Sequence, residues 1–491
     1  MGGIDPGLRR TVLSTLLAAF HGPEAPGWAL DLVADGLAGH VLFGFNVDNA
    51  TQLSALTNAL RQARGDVLIG IDEEGGDVTR LGHRNGSPYP GNGALGATGD
   101  PELTAAVYRS IGADLAAVGV NFNLAPSADV NSESDNPIIG TRSFGADPAV
   151  VSIHTAAAVR GLQESGVAAC AKHFPGHGAA NADSHLELPT VDVTLDVLRE
   201  RDLPPFAAAI AAGTRSIMSA HIRIPSLTGD LPATFSRRML TELVRDELGF
   251  TGAIVTDALE MQGAARIAGG TYKAAVPALL AGADLLCIGA DVDAALVELI
   301  VAEVIAAVDS GELPLSRLEQ ASARALDLAK WASAAQTHPA GDFTGSAGVD
   351  LGIAVARRAV TIEGTLPPLD DAFVVQLESA HSIAEGPVPW GIYRHLGAQF
   401  DDAIRVEAAK ATADQVRAAA HGRPIVIAGR NVHRLAGAAD LITALAATDT
   451  VVVVEMGWPS TWRPVGARAF LTTYGGTRAN SRAALEALGL A

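Results

Sequence analysis

The densest chemistry in the chain lies in residues 168–189, which read Ala-Ala-Cys-Ala-Lys-His-Phe-Pro-Gly-His-Gly-Ala-Ala-Asn-Ala-Asp-Ser-His-Leu-Glu-Leu-Pro. Lys172, His173, His177, Asp183 and His185 can all bind or transfer protons, in a chain that is only 18% charged. His173 and His177 stand four apart, the spacing of a helical zinc pair. Pro175 and Gly176 lie between them and break a helix there, so no metal is expected. His177, between Gly176 and Gly178, reads as a capping or backbone-bridging group. Asp183 and His185 are two apart and share one side of an extended segment. The carboxylate can then fix the imidazole tautomer and raise its basicity, which makes an orienter and a general acid/base. Asp-x-His alone is a common tripeptide.

The segment as a whole is far more specific. Lys172-His173-Phe174-Pro175-Gly176-His177-Gly178, then Asp183-Ser184-His185 and a proline, resembles the β-N-acetylglucosaminidase branch of glycoside hydrolase family 3. The resemblance implies that the Asp183–His185 pair supplies the acid/base. It also implies that Lys172 and His173 contact the sugar.

Three further motifs carry the same resemblance. Ile71-Asp72-Glu73-Glu74-Gly75-Gly76-Asp77-Val78-Thr79-Arg80-Leu81 could be a solvated acidic turn. Its match to the family implies that Asp72 and Arg80 hold sugar hydroxyls. Relatives usually carry Arg where this chain has Asp77. Gly140-Thr141-Arg142-Ser143-Phe144-Gly145 implies that Arg142 binds the sugar. A set of Lys, Arg and Asp suits a ring of hydroxyls, because it offers donors and acceptors together. In Ala253-Ile254-Val255-Thr256-Asp257, the aspartate ends an apolar run. It could be a helix N-cap; the resemblance implies the catalytic nucleophile. Glu260 is a lesser candidate expected to face outward; His221 either lines the pocket or, as the favoured reading, satisfies a core hydrogen bond.

The elements that must position these groups follow from hydrophobic patterning. Apolar runs of strand length fall at 15–20, 41–45, 67–71, 121–125, 168–171, 217–218, 253–256 and 285–288. Helical patterns lie between them, for example at 104–118, 149–165, 237–247 and 273–281. The runs are rich in Val, Ile, Leu and Ala, as strands buried on both faces should be. A doubly wound sheet fits this alternation nearly as well. The polar groups follow the ends of several different strands, however, and that favours a (β/α)8 TIM-like barrel. The expected organisation is a catalytic barrel over 1–335, a linker over 336–348 rich in turn formers, and a C-terminal α/β layered domain over 349–491. Strands in the last are expected at 372–377, 424–428 and 450–455, with helices at 411–420 and 479–488. Glu455 reads as structural, and no phosphate-cradling glycine loop is present.

Length and charge bound the rest. The chain has 491 residues, 48% of them hydrophobic, with a formal charge of −19. That is more than one average domain. The charge repels nucleic acid and anionic lipid, so neither is an expected partner. Cys170 and Cys287 each sit in an apolar run and read as reduced, buried thiols. Arg9 and Arg10 before the apolar run 12–20 imitate a signal peptide, but no clean cleavage site follows. A retained first strand and a cytoplasmic enzyme are expected.

The resemblance implies a retaining β-N-acetylglucosaminidase that needs no cofactor and acts on a carbohydrate. Hydrolysis is the expected reaction. Inorganic phosphate stays open as an alternative acceptor, because an imidazole acid/base repels it less than a carboxylate would. A family 3 β-glucosidase is the other alternative. Natural substrate and oligomeric state are left open.

Overall fold

The computed structural model describes residues 5–180, 182–335 and 346–491. The chain forms two compact units: Met1–Glu73, Thr104–Ile139 and Ala146–Thr344 make the first, and Glu74–Leu103, Gly140–Gly145 and Gly345–Ala491 the second.

The first unit is the barrel. Its strands are β1 Leu16–Ala18, β2 Gly39–Leu42, β3 Leu68–Ile71, β4 Phe122–Asn123, β5 Ala168–Phe174, β6 Ser216–Ser219, β7 Ala253–Thr256 and β8 Leu286–Cys287. They pair in the order β7-β6-β5-β4-β3-β2-β1-β8, all parallel. A parallel bridge between Val255 and Leu285 joins the two ends. Every strand residue is buried, because a closed parallel sheet is covered on both faces. Leu17, Val41, Leu68, Phe122, Cys170, Met218 and Val255 belong to one apolar cluster, against which the helix Leu315–Ala335 packs Ala325, Leu328 and Ala332. Strands appear at all the expected places. β5 is longer than its apolar run, so Lys172 and His173 sit on the strand and not on the loop beyond it.

Where the chain enters β8, Asp284 is completely buried. Its carboxylate accepts from Arg317 at 2.9 Å, Arg324 at 3.2 Å, the Ile254 N–H at 3.0 Å, and also from Arg245. This ties β7, β8 and two helical segments together at the strands' N-terminal end, the face of a barrel associated with stability. Asp284→Ala should leave partly buried guanidinium groups without their anion. Breaking a buried pair on one side costs about 3–5 kcal/mol. A fall of roughly 6–20 °C in the barrel's thermal transition is expected; an unchanged transition would show the cluster to be ornamental.

The second unit holds β9 Thr361–Gly364, β10 Phe373–Leu377, β11 Ile404–Val406, β12 Ile425–Gly429, β13 Val451–Glu455 and β14 Ala469–Thr472. Their order is β11-β10-β12-β13-β14-β9, with β9 alone antiparallel to its neighbour. Residues 336–345 of the expected linker lie outside the described residues; 346–348 open the helix Ser346–Ala359. The stretches 74–103 and 140–145, expected within the barrel domain, group with the second unit. Buried polar contacts accompany this grouping. Asp77 accepts from Arg430 at 2.7 Å, from Thr141 at 3.1 Å and from the Gly476 N–H at 3.3 Å. Arg430 also reaches Glu385 at 3.2 Å and stacks 4.5 Å above the Trp390 ring.

Among the described residues no helix is long and apolar enough to cross a membrane. Cys170 and Cys287 are buried and unbridged. Burial pushes the Cys170 thiol up to about 12 and raises that of Cys287 as well.

Candidate active site

The second half of β5 carries the first functional side chains. The Lys172–His173 and Phe174–Pro175 peptide bonds are cis. Lys172 is buried, and its Nζ donates to Asp72 Oδ1 at 2.6 Å, just past the end of β3. His173 places Nδ1 2.7 Å from Asp129 Oδ2, while its backbone N–H donates to Asp129 Oδ1 at 3.2 Å. Asp129 Oδ1 also accepts from the His177 N–H at 2.6 Å, and Oδ2 from Ser127 Oγ at 3.0 Å. One buried carboxylate thus organises the turn that follows β5. Burial works to raise its pKa, but His173 and His177 bring it below the ordinary range.

The glycines flanking His177 have backbone reasons. Gly176 has φ +132°, a region costly for other residues. A Cβ on Gly178 would lie 1.8 Å from the Val130 carbonyl oxygen. The chain then runs on to the dyad. Asp183 Oδ1 lies 2.6 Å from His185 Nδ1 and accepts the His185 N–H at 2.9 Å. Taking up Nδ1 leaves Nε2 as the nitrogen able to exchange a proton elsewhere. Burial raises the Asp183 carboxyl, but its bonds to His185 dominate and hold it below the usual carboxylate range.

Asp257 follows β7 directly. Its Oδ1 accepts the Ala258 N–H at 2.8 Å. Its side chain is partly buried and keeps some surface open to solvent. Burial raises its pKa; the fields of His173, His221 and His185 and the Ala258 N–H outweigh this and keep it below the ordinary value. His221 is buried, with Nδ1 2.8 Å from Thr234 Oγ1 and Nε2 3.0 Å from the Ala258 carbonyl, a core histidine with both nitrogens used. Glu260 does not simply face outward: its carboxylate accepts the N–H groups of Ala290 and Asp291 at 2.6 and 3.1 Å, which shapes the turn after β8.

The barrel unit thus carries Asp72, Lys172, His173, Asp183, His185 and Asp257, each at or beyond the C-terminal part of a strand, where barrels place their chemistry. Among the described residues no group of three or more His, Cys, Asp or Glu side chains is arranged to hold a metal ion.

Residues 28–328 match the family described as glycosyl hydrolase family 3 N terminal domain. The chain belongs to that family. Among relatives of family 3, the β-hexosaminidase A of Pseudoalteromonas piscicida is 41% identical over 249 residues, which cover 46% of this chain and 42% of that protein. The match thus spans less than half the length of that relative. The β-hexosaminidase of Bordetella avium (strain 197N) is 38% identical over 259 residues, 51% of this chain and 73% of the relative. The solved family 3 β-N-acetylglucosaminidase of Paenibacillus sp. str. FPU-7 superposes with a TM-score of 0.89 at 31% identity, covering 98% of this chain and 97% of that one.

Two expected sugar-binding residues of this family 3 chain fall in its second unit. Arg142 makes a buried fork with Glu74, at 2.9 and 2.7 Å. Arg80 donates to the carbonyls of Ala384 at 2.9 Å and Glu385 at 3.3 Å. Sequence reasoning missed Asp129 and Ser127. The only signal was their place just after β4, in Asn121-Phe122-Asn123-Leu124-Ala125-Pro126-Ser127-Ala128-Asp129.

Proposed function

We propose that this family 3 protein is a retaining β-N-acetylglucosaminidase that releases terminal N-acetylglucosamine from oligosaccharides such as cell-wall or chitin fragments. The observation that carries this reading is the 2.6 Å Asp183–His185 dyad on a loop whose Ser184 carbonyl accepts the N–H of Gly263, in the segment that follows β7 and Asp257. The relatives, two β-hexosaminidases and a β-N-acetylglucosaminidase, support the same reading.

In the proposed reaction Asp257 attacks the anomeric carbon while His185 Nε2 protonates the departing oxygen. The glycosyl-enzyme bond forms as the glycosidic bond breaks, through an oxocarbenium-like transition state. His185, now neutral and held by Asp183, takes a proton from the incoming water. Water displaces Asp257, and two displacements restore the original configuration. Lys172 donates to sugar hydroxyls and Asp72 accepts from them, already oriented by their own 2.6 Å contact. A cytoplasmic setting fits the two buried, unbridged thiols.

The test is NMR of the first-formed product from an aryl N-acetyl-β-glucosaminide, with and without inorganic phosphate. Free β-N-acetylglucosamine is expected in both. Inverted product would eliminate the double displacement. Sugar-1-phosphate as the main product would make the enzyme a phosphorylase, and faster cleavage of the aryl glucoside would make it a glucosidase.

A further inference from the structure

We propose that His177 and Ser184 form a latch that holds the Asp183–His185 loop in place, making His177 a positioning residue for proton transfer. The inference rests on the reading of His185 as the acid/base.

Ser184 sits between the two members of the dyad and opens a turn in which the Asp183 carbonyl accepts the Leu186 and Glu187 N–H groups at 3.0 and 3.1 Å. While Asp183 and His185 meet each other, Ser184 turns inward and is buried, with Oγ 3.2 Å from His177 Nε2. Either tautomer of His177 completes this bond, since a hydroxyl can donate or accept. The Ser184 carbonyl is anchored as well, accepting the Gly263 N–H at 3.2 Å.

His177 is itself fixed. Its N–H is bound to Asp129 at 2.6 Å, its carbonyl accepts Asn136 Nδ2 at 2.9 Å, and its ring packs edge-on to His173 at 6.1 Å between centroids. Asp129 therefore connects His173, on the strand, to the latch that holds His185. Burial, then the neighbouring His173, push the His177 pKa down to about 4. The imidazole is neutral at working pH and adds no competing charge beside the dyad. That is the state wanted of a hinge pin, and the wrong one for a second acid.

The loop places a proton donor, and a misplacement of the order of 1 Å costs about 100-fold in rate. The experiment compares Ser184→Ala, His177→Ala and His177→Gln with the parent, on two aryl N-acetyl-β-glucosaminides. The dinitrophenyl glycoside departs without protonation; the methoxyphenyl glycoside needs it. In the alanine variants, kcat/KM for the methoxyphenyl substrate is expected to fall about 10- to 100-fold, and that for the dinitrophenyl substrate less than about 3-fold. His177→Gln keeps a donor and an acceptor and should recover part of the loss, which separates the latch from a folding defect. Equal losses on both substrates, or no loss on either, would overturn the latch. His185→Ala serves as the control: if it lacks the leaving-group split, the assignment of His185 has failed, and the latch with it.

Discussion

Replacing Asp257 by alanine is expected to lower kcat on an aryl N-acetyl-β-glucosaminide by a factor of about 10⁴ or more, the scale on which loss of a covalent nucleophile is felt. The carboxylate is suited to attack. Among the described residues the hydrogen-bond donor to it is the Ala258 N–H, and the fields of His173, His221 and His185 keep its pKa low against the pull of burial. The fold should survive, because a charged group kept deep in the protein is a liability to stability that function tolerates. A 2-fluoro glycosyl inactivator should label Asp257 in the parent, visible as a mass increment on its peptide. If the variant stays within about tenfold of the parent and nothing is labelled, the substrate's own acetamido group is the nucleophile, and Asp257 only orients it.

The second large effect belongs to the dyad. His185→Ala should cost about 10²- to 10⁴-fold in kcat/KM for substrates with poor leaving groups. Asp183→Asn should be milder and more informative. Asparagine can still accept from His185, but it no longer favours the charged imidazole, so the basic limb of the pH profile should move to lower pH. A profile that merely scales down, with its limbs unmoved, would mean that Asp183 is not the partner that matters.

The acid side follows from Asp129, Asp183 and Asp257, whose carboxyls are all held below their ordinary value. A carboxyl depressed in the folded state contributes stability that is complete above its unfolded pKa and is lost as the pH falls through the folded one. Their share of acid sensitivity therefore sets in as the pH falls through the usual carboxylate range and is complete only below it.

What could be read from the chain alone divides by range. The barrel strands were legible because burial on both faces turns each into a continuous apolar run, β7 as Ala-Ile-Val-Thr being typical. β9 and β11 were not, because β9 is exposed along its length and β11 carries Arg405 at the sheet edge. Such strands are held by a neighbour, not by their own composition. The Asp183–His185 contact was legible since it is local, although a turn over 184–186 brings the two together and not the extended segment expected. Asp129 was not: it meets His173 and His177, 44 and 48 positions further on. The oddity at Asp77 was visible, but its explanation, Arg430, is 353 positions away.

That last pair has a consequence for how the protein can be taken apart. The unit built around β9–β14 includes two strips of chain, 74–103 and 140–145, that depart from the barrel unit's sequence and rejoin it. Cutting after residue 335 would strip Asp77 of Arg430 and of the Gly476 N–H, while Glu74 would keep Arg142. The two halves can be exchanged among relatives only if the new C-terminal piece brings its own cation for position 77. A gene fusion at 336–345 alone would inherit an unanswered charge.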